Sequence, residues 1–256
     1  MDKGIGTAYH YTPGDGWTLG NLDFFTVPQK QFTPDEHEVW RLLYKRQLDV
    51  LPKRAIGLFM DSLSTLGINQ GRIPNFDEVN EILIKRTGWQ VVAVPGLIPD
   101  EPFFELLANR RFPAGNFIRT MEQLNYIQEP DVFHDLFGHI PLLADPVFGD
   151  YMEAYGKGGL KAARLGMTAK LARLYWYTVE FGLIQEPQGL RIYGAGILSS
   201  PTESTFSLED SSPHRIKFNL KRVLQTQFQI DDFQDNYFVI DSFKQLFDET
   251  YADFTP

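Results

Sequence analysis

Two histidines that stand five positions apart, in a short segment bounded by prolines, constrain the fold of this chain more than any other feature. His134 and His139 are two of only five histidines in 256 residues, and they lie between Pro130 and Pro141. On a regular α-helix an i, i+5 pair lies ~140° apart around the axis and cannot share a face. If both rings bind one metal ion, the backbone between them cannot be a regular α-helix.

The flanking residues predict a short helix that ends between the two histidines. Pro130 suits the first helical position and Asp131 the first turn, whereas Gly138, followed by a proline, would end the helix. Asp131 lies one turn before His134, so we expect its carboxylate to accept a hydrogen bond from the ring nitrogen that faces away from a metal. The alternative is that both histidines are structural residues at a helix end.

A third ligand is expected from an aromatic-rich helix further along the chain. Glu180 is surrounded there by Trp176, Tyr177, Val179 and Phe181, and burying a carboxylate among such residues is costly unless it has a partner. The alternative is that Glu180 faces solvent near the helix end, although a carboxylate there opposes the helix dipole. Two histidines and a carboxylate form the facial triad of non-haem Fe(II) oxygenases, and the same ligand types hold catalytic zinc in some hydrolases.

Composition excludes several other classes of function. The chain has no cysteine, which excludes disulfides, thiol nucleophiles and thiolate metal sites and favours a reducing, cytoplasmic compartment. A net charge of -9, without a concentrated run of Lys or Arg, argues against nucleic acid or an anionic membrane as partner. No segment approaches the ~18 apolar residues of a membrane span, and the first residues lack the apolar core of a signal peptide.

Hydrophobic periodicity predicts one mainly helical domain behind an N-terminal arm. Residues 1–31 mix Gly, Pro and aromatic residues without a period, whereas helical periodicity is sustained from Phe32 onward. The predicted division is therefore an arm at 1–31 and a main domain at 32–256. The predicted strands are short and scattered, so we expect a helical basket with a small sheet.

Capping signals place several helix ends. The predicted helix starts lie at Thr33–Glu36, Asn75–Glu78, Asp145–Pro146 and Thr168, the last for the helix that carries Glu180. We expect the first helix to run through about Leu51 and the second to end before Gly88, where a strand follows over 89–94.

Several long motifs occur in a fixed order: EPDVFHDLFGHIPLLADPVF, LARLYWYTVEFGL and YGAGILSS. Together with the earlier run RIPNFDEVNEILIKRTGWQVVAVPGLIPDEPFFELLANRRFPAGNFIR, they resemble the catalytic domain of the pterin-dependent aromatic amino acid hydroxylases. The resemblance is strongest to the bacterial members that hydroxylate phenylalanine, and it covers roughly residues 32–247.

The resemblance implies a fold and a reaction. The implied fold is mainly α, a multihelical basket-like single catalytic domain with a small antiparallel β element. Fe(II) held by His134, His139 and Glu180, with Tyr175 supporting the site, would activate O2 with electrons from tetrahydrobiopterin or a related tetrahydropterin and hydroxylate L-phenylalanine to L-tyrosine, as in phenylalanine breakdown. Tryptophan or tyrosine hydroxylation, a zinc hydrolase, and a non-catalytic metal- or ligand-binding domain stay open as alternatives. Because no heptad tail precedes Pro256, we expect a monomer, with a dimer possible.

The resemblance also implies a cofactor site. The positions that bind the pterin in the family are occupied here by Gly96, Leu97, Ile98, Asp100, Phe103, Asp135 and Ala172. A glycine permits close approach of the backbone to a flat ring, and Phe103 offers a stacking face. Asp100 and Asp135 depart from the family, where Ser and Glu are common. Taken alone, 94–104 has the pattern of an ordinary strand–turn–helix connection.

Five further positions match the family's contacts to the amino acid substrate: Arg119, Trp176, Gly196, Ser199 and Ile230. An Arg fork suits a carboxylate, although a single Arg is by default a surface residue with a loose ion pair. Ile230 stands where tyrosine hydroxylases carry Asp, which favours phenylalanine, but an apolar pocket rejects an added hydroxyl only weakly. Ile127 and Gln128 replace the Thr-Pro of animal members, so that part of the pocket must differ.

Overall fold

The computed structural model describes residues 16–230 and 232–254, and most of these residues are helical. The α-helices are α1 (Pro34–Val50), α2 (Gly57–Thr65), α3 (Phe76–Thr87), α4 (Asp100–Ala108), α5 (Pro146–Arg164), α6 (Thr168–Tyr175), α7 (Ala195–Leu198), α8 (Pro201–Glu209), α9 (Leu220–Val223) and α10 (Phe243–Phe254). Two π-helical turns lie at His134–His139 and Trp176–Glu180, and 3-10 turns lie at Met121–Gln123 and Ile140–Ala144.

The strands form two small sheets. They are β1 (Gln90–Val94), β2 (Arg111–Gly115), β3 (Leu183–Glu186), β4 (Gly189–Ile192), β5 (His214–Lys217) and β6 (Asn236–Ile240). β1 and β2 pair in parallel, with Gln90 opposite Arg111. The second sheet has the order β4-β3-β6-β5. The predicted fold class is confirmed, but among the described strands only the β3–β4 hairpin is antiparallel; the other pairs are parallel.

All four predicted helix starts are confirmed, and three of the four predicted caps are present. Thr33 closes a capping box on α1, and the side chains of Asn75 and Asp145 accept backbone N–H groups from the first turns of α3 and α5. α6 also starts at Thr168 as predicted, but the capping role predicted for Thr168 was wrong, because Thr168 is itself the first helical residue and Met167, at the cap position, makes no side-chain cap bond.

The predicted helix ends and the strand are also confirmed. The first helix ends at Val50, and α3 ends before Gly88, whose φ of 77° is left-handed. Glycine adopts this conformation without the steric cost that a Cβ would bring. β1 follows directly, within the predicted range 89–94.

The segment that carries both histidines is anchored in an aromatic core. Phe133 and Phe137 are fully buried and stack on each other at 4.9 Å between ring centroids. Trp40 packs edge-on to Phe133 at 5.2 Å, and Tyr44 and Phe59 do so to Phe137 at 5.3 and 5.5 Å. Helices α1 and α2 thereby hold the apolar side of this segment and turn its histidines toward the opposite side.

The described part of the predicted arm, from residue 16 to residue 31, lies along the two-stranded sheet. The Val27 N–H donates to the Ala93 carbonyl of β1 at 2.9 Å, and the Lys30 N–H donates to Asn116 Oδ1 at 2.8 Å. The first half of the arm, residues 1–15, lies outside the described residues. The boundary at residue 31 stays a prediction.

Among the described helices, none is long and apolar enough to cross a membrane.

Candidate metal centre and cofactor site

A π-helical turn brings the two histidines together. In this turn the Ile140 N–H donates to the Asp135 carbonyl five residues earlier, so a residue and its fifth successor lie about one turn apart on the same side. The Nε2 atoms of His134 and His139 are consequently only 3.0 Å apart. A regular α-helix could not bring the two histidine rings together, as expected from their spacing. The wider π-helical turn does so.

Gly138 does not end the helix, which corrects the sequence-based prediction. It lies inside the π turn, and its φ is not among the positive values. A Cβ at this position would meet the Ala195 carbonyl oxygen at 3.0 Å and the Ala195 Cβ at 3.1 Å. The glycine therefore permits close packing between the histidine segment and the start of α7.

A second π turn delivers the carboxylate. α6 ends at Tyr175, and the chain continues as a π turn in which the Phe181 N–H donates to the Trp176 carbonyl at 2.8 Å. Glu180 Oε1 lies 3.1 Å from His139 Nε2, and Glu180 Oε2 lies 3.5 Å from His134 Nε2. Each predicted ligand therefore belongs to a π turn, and the three side chains meet.

The spacing of these atoms fits one divalent transition metal. Three ligands that occupy one face of an octahedron at metal–ligand distances of about 2.1 Å are separated from one another by roughly 3.0 Å. The three observed separations, from 3.0 to 3.5 Å, match that face. Asp135 also lies within 4.8 Å of both histidines, but its Oδ2 accepts the Gly115 N–H at 2.7 Å. Glu180 is therefore the third ligand that the geometry favours.

Electrostatics at this centre favour a cation. Burial raises the pKa of Glu180, yet His139 and His134 beside it hold that pKa well below its usual range. Burial lowers the pKa of His134, but Glu180, together with the charges of Asp135 and Asp131, acts in the opposite direction, and the net effect is a raised pKa. Because the carboxylate stays ionised in a largely buried pocket, positive charge is stabilised between the three side chains.

Ser199 sets the orientation of His134. The Ser199 hydroxyl donates to the Ala195 carbonyl at 2.8 Å, so its oxygen accepts the His134 Nδ1–H at 2.9 Å. The Nδ1–H tautomer leaves the Nε2 lone pair for a metal. Ser199 was predicted as a substrate contact, and its bond to the ligand ring was not anticipated.

Asp131 does not bind the His134 ring, so the predicted contact was wrong. Its carboxylate accepts the backbone N–H of His134 at 3.1 Å and is otherwise occupied by Arg119. The Arg119 Nε and Nη2 groups donate to the two carboxylate oxygens at 2.8 and 3.0 Å. Both residues are buried, so Arg119 is a fixed guanidinium and not the loosely paired surface Arg of the alternative interpretation.

The predicted substrate residues Trp176 and Gly196 lie beside the ligand Glu180. Trp176 stacks with Phe181 and with Phe228, at 4.7 and 4.5 Å between ring centroids. A Cβ on Gly196 would meet Glu180 Oε2 at 3.1 Å and the Phe181 ring at 3.0 Å, so only glycine fits there without displacement.

Ile230 is more peripheral. Its surface is 51% exposed, and none of the described contacts joins it to the metal ligands. Whether it contacts the substrate stays a prediction.

The predicted pterin loop is linked to the metal centre through aromatic rings. In the loop before α4, Gly96 and Ile98 are buried and Leu97 is half-buried. The Phe103 ring packs edge-on to Tyr175 at 5.8 Å, and the Tyr175 ring lies 6.1 Å from the His139 ring. The Tyr175 ring thus lies between Phe103 and the His139 ring.

The remaining predicted pterin residues differ in their exposure. Asp100 begins α4 and is half-buried, whereas Ala172 is buried on α6. Asp135 is buried, and burial raises its pKa to about 6 against the opposing effects of His134, His139 and the Gly115 N–H.

Two contributors to the site were missed at the level of sequence. Gln234, 2% exposed, accepts the Trp176 indole N–H at 2.9 Å. Gly115, at the end of β2, fixes Asp135 through its backbone N–H. No pattern in the neighbouring sequence marks either residue. Gln234 lies 58 residues from its partner Trp176, and Gly115 acts through its main chain.

The comparison with known families agrees with this geometry. The family described as biopterin-dependent aromatic amino acid hydroxylase matches residues 23–254. The chain belongs to this family. The match begins inside the predicted arm, before Gln31.

Individual members of the family are similar over most of the chain. A phenylalanine-4-hydroxylase of Ralstonia nicotianae is 60% identical over 242 residues, which cover 94% of this chain and 77% of that protein. A crystal structure of Chromobacterium violaceum phenylalanine hydroxylase with bound iron(III) and 7,8-dihydrobiopterin is 56% identical, covers 92% of this chain and 86% of that chain, and superposes with a TM-score of 0.87. The same enzyme bound to iron and phenylalanine has a TM-score of 0.85 at 55% identity, over 90% of this chain and 85% of that chain.

Family membership decides between the alternatives that the ligand types had left open. The family is described as biopterin-dependent hydroxylases, and the Chromobacterium violaceum structure holds iron(III) and 7,8-dihydrobiopterin, so neither the zinc hydrolase nor the non-catalytic binding domain is supported. His134, His139 and Glu180 have the facial geometry that this chemistry requires.

Proposed function

We propose that this protein is a phenylalanine 4-monooxygenase, which converts L-phenylalanine to L-tyrosine with O2 and a tetrahydropterin at an Fe(II) held by His134, His139 and Glu180. The observation that carries the proposal is the triangle of ligand atoms, 3.0 to 3.5 Å apart, in a chain 60% identical to an enzyme named phenylalanine-4-hydroxylase.

The cofactors carry the chemistry and the chain positions them. When bound, Fe(II) and the tetrahydropterin supply the electrons and the oxygen transfer, so that one atom of O2 enters the para C–H bond and the other enters the pterin. The protein must leave one face of the metal open, keep the aromatic ring beside it and keep bulk water away. Its own residues are arranged for those tasks.

The stacked ring of Trp176 forms an apolar wall for the substrate's phenyl group. Because the indole is held by stacking with Phe181 and Phe228, and at its N–H by Gln234, it offers a fixed surface against which an aromatic ring can pack. This wall begins at the first residue of the π turn that ends in Glu180, so a ring packed on it lies close to the metal.

We propose that Arg119 binds the substrate carboxylate. Asp131 holds its Nε and Nη2 and thereby fixes the guanidinium plane. None of the hydrogen bonds among the described residues uses Nη1, which leaves that group free to donate. An Arg held in plane by one carboxylate retains the charge and geometry to bind a second.

Tyr175 is proposed to exclude water beside His139. It is 3% exposed, and burial followed by the charge of Glu180 raises its pKa well above the usual value. The side chain is therefore neutral throughout the physiological range. We propose a packing role for it and not one in proton transfer.

For the pterin, we propose stacking on Phe103 and binding along Gly96, Leu97 and Ile98. Phe103 is half-buried at the start of α4 and leaves part of its ring accessible. Asp100, Asp135 and Ala172 are proposed as the surrounding contacts, and the exact polar contacts differ from relatives that have Ser or Glu at the two acidic positions.

Phenylalanine is proposed over tyrosine and tryptophan, with Ile230 contributing a modest preference. An apolar side chain offers no partner for a phenol, which weakens tyrosine binding only mildly. The cytoplasmic location and a role in phenylalanine breakdown, with the hydroxypterin product recycled by other enzymes, stay predictions.

The test is product formation with defined metals. Metal-stripped protein would be mixed with a tetrahydropterin, air and, in parallel, phenylalanine, tyrosine or tryptophan, with Fe(II) or Zn(II) added, and the amino acids analysed by mass spectrometry. Tyrosine from phenylalanine with Fe(II) alone is the expected result. Activity on tryptophan or tyrosine but not on phenylalanine would redirect the assignment within the family. No hydroxylation with any combination would refute it.

A further inference from the structure

The described part of the arm packs against the back of the predicted pterin loop. Leu22 and Phe25 are half-buried and contact a small apolar cluster that is separate from the main core. The buried members of this cluster are Val94, Ile98 and Leu106, and Phe103 also packs against it. Two of the residues proposed to bind the pterin, Ile98 and Phe103, therefore share a cluster with the arm.

Polar contacts fix the arm on both sides of these two apolar residues. Before them, the Gly20 N–H donates to the buried carboxylate of Glu105 on α4. Between them, Asp23 forms an ion pair with Arg111 of β2 at 2.6 Å. After them, the Val27 N–H bonds to β1 at 2.9 Å. The arm is thus joined to all three elements that surround the pterin loop.

Phe103 lies between the arm and the metal centre. The Phe103 ring packs against the same apolar cluster as Leu22 and Phe25, and it also meets the Tyr175 ring edge-on at 5.8 Å between centroids. Closely packed interiors transmit small displacements, because side chains interdigitate with few voids. The position of Phe103, and hence of the stacking face, depends on what fills the space behind it.

We propose that Leu22 and Phe25 are positioning residues for the pterin. By filling the space behind Ile98 and Phe103, they hold the loop in the geometry that the flat ring needs, so binding does not have to order it. Preorganisation of this kind increases affinity by lowering the cost of ordering on binding. The inference rests on the proposed function, since it requires that the pterin binds at Ile98 and Phe103. The arm would then increase the affinity for the pterin by supporting these two residues.

Truncation of either side chain tests the proposal. Leu22→Ala and Phe25→Ala would be compared with Leu19→Ala, which makes the same change at a residue of the arm that is 69% exposed. The measurements are the Kd of 7,8-dihydrobiopterin by calorimetry on iron-loaded protein, the iron content, the melting temperature, and the KM values for tetrahydropterin and phenylalanine.

A selective loss of pterin affinity is expected. In Leu22→Ala and Phe25→Ala, the pterin Kd and KM should rise by about tenfold. Iron content, the KM for phenylalanine and kcat at saturating pterin should stay within about twofold of wild type, since the cluster does not contact the ligands. Leu19→Ala should match wild type throughout.

Two results would overturn the proposal: an unchanged pterin Kd in both alanine variants, or an equal loss of pterin and phenylalanine affinity, which indicates general loosening. If an alanine variant does not fold, Phe25→Leu, which keeps an apolar side chain, replaces it. The same comparison of pterin and phenylalanine affinity then applies, with a smaller expected rise in the pterin Kd. Failure of the proposed function is distinguishable, because the wild type would then bind dihydrobiopterin without forming tyrosine. A wild type that does not bind dihydrobiopterin would refute both.

Discussion

The metal centre and the pterin loop differ in how their residues are brought together. The two histidines lie within one turn, and the third ligand comes from a second turn of the same π type. The loop over 94–99 is instead held by α4, which follows it directly, and by contacts from the arm, β2 and Glu129, which lie in separate segments of the chain. A histidine pair set by local geometry can be recognised in sequence, whereas a loop held by several separate segments depends on each of them.

The largest effect that would test this contrast is the loss of a metal ligand. His134→Ala or Glu180→Ala should abolish both iron retention and tyrosine formation, because two ligands do not complete a facial site. If the loop is independent of the metal centre, the Kd of 7,8-dihydrobiopterin should change by less than about threefold. Iron analysis, mass spectrometry and calorimetry give the three readouts, and a variant that retains both iron and activity would remove that residue from the ligand set.

The second-largest expected effect comes from disturbing the orientation of the His134 ring without removing the ring. Ser199→Ala removes the acceptor of the His134 Nδ1–H, which should weaken iron binding by about 10- to 100-fold, the usual range for such partners of a ligating histidine. Ser64→Ala, at an exposed position of α2, is the matched control. Metal titration followed by activity measures the effect. Unchanged iron affinity in Ser199→Ala would mean that core packing alone orients the ring.

The contrast also explains what the sequence could predict. The meeting of His134, His139 and Glu180 could be predicted because ligand types and an acid in apolar surroundings are visible locally. The helix caps at Thr33, Asn75 and Asp145 were recoverable for the same reason, since each acts on its own first turn. The predicted end of the helix at Gly138 failed because a glycine that ends a helix and one that permits close packing have the same local sequence signal.

Contacts between distant segments were not visible in this way. The partner of Asp131 turned out to be Arg119 and not the nearby histidine ring, because the carboxylate can bind a buried guanidinium through two oxygens and the ring cannot offer that. The bond from Gln234 to Trp176 and the packing of Leu22 behind the loop depend on which segments meet in the fold. No pattern within a single segment specifies them.

Gly138→Ala tests the close packing that supports the metal centre. Its Cβ would meet Ala195 at 3.0 to 3.1 Å, so the start of α7 must move, and overpacking of this kind costs about 1–3 kcal/mol. Gly57→Ala is the control, since nothing lies within 4 Å of the position that its Cβ would take and its φ is not positive. Denaturant unfolding should show a loss for Gly138→Ala and no loss for Gly57→Ala. If Gly138→Ala is as stable as the wild type, the start of α7 can move away from the added Cβ at little cost in free energy.

The smallest expected effect lies at a polar contact that joins the two regions. The Leu97 N–H of the pterin loop donates to Glu129 Oε1 at 3.1 Å, and Glu129 leads directly into the segment of the metal ligands. Glu129→Ala removes the acceptor, and the net worth of such a bond is about 0.5–1.5 kcal/mol, which corresponds to a rise of roughly two- to tenfold in the pterin KM.

Glu129→Gln separates the bond from the charge, because the amide oxygen still accepts the Leu97 N–H. We expect it to retain a pterin KM near that of wild type, with iron content unchanged in both variants. If Glu129→Ala lowers iron content as well, the loop and the metal centre are mechanically coupled through this residue, and the division between the metal centre and a separately assembled cofactor loop does not hold. If only the pterin KM rises, the two regions are energetically separable even where they touch.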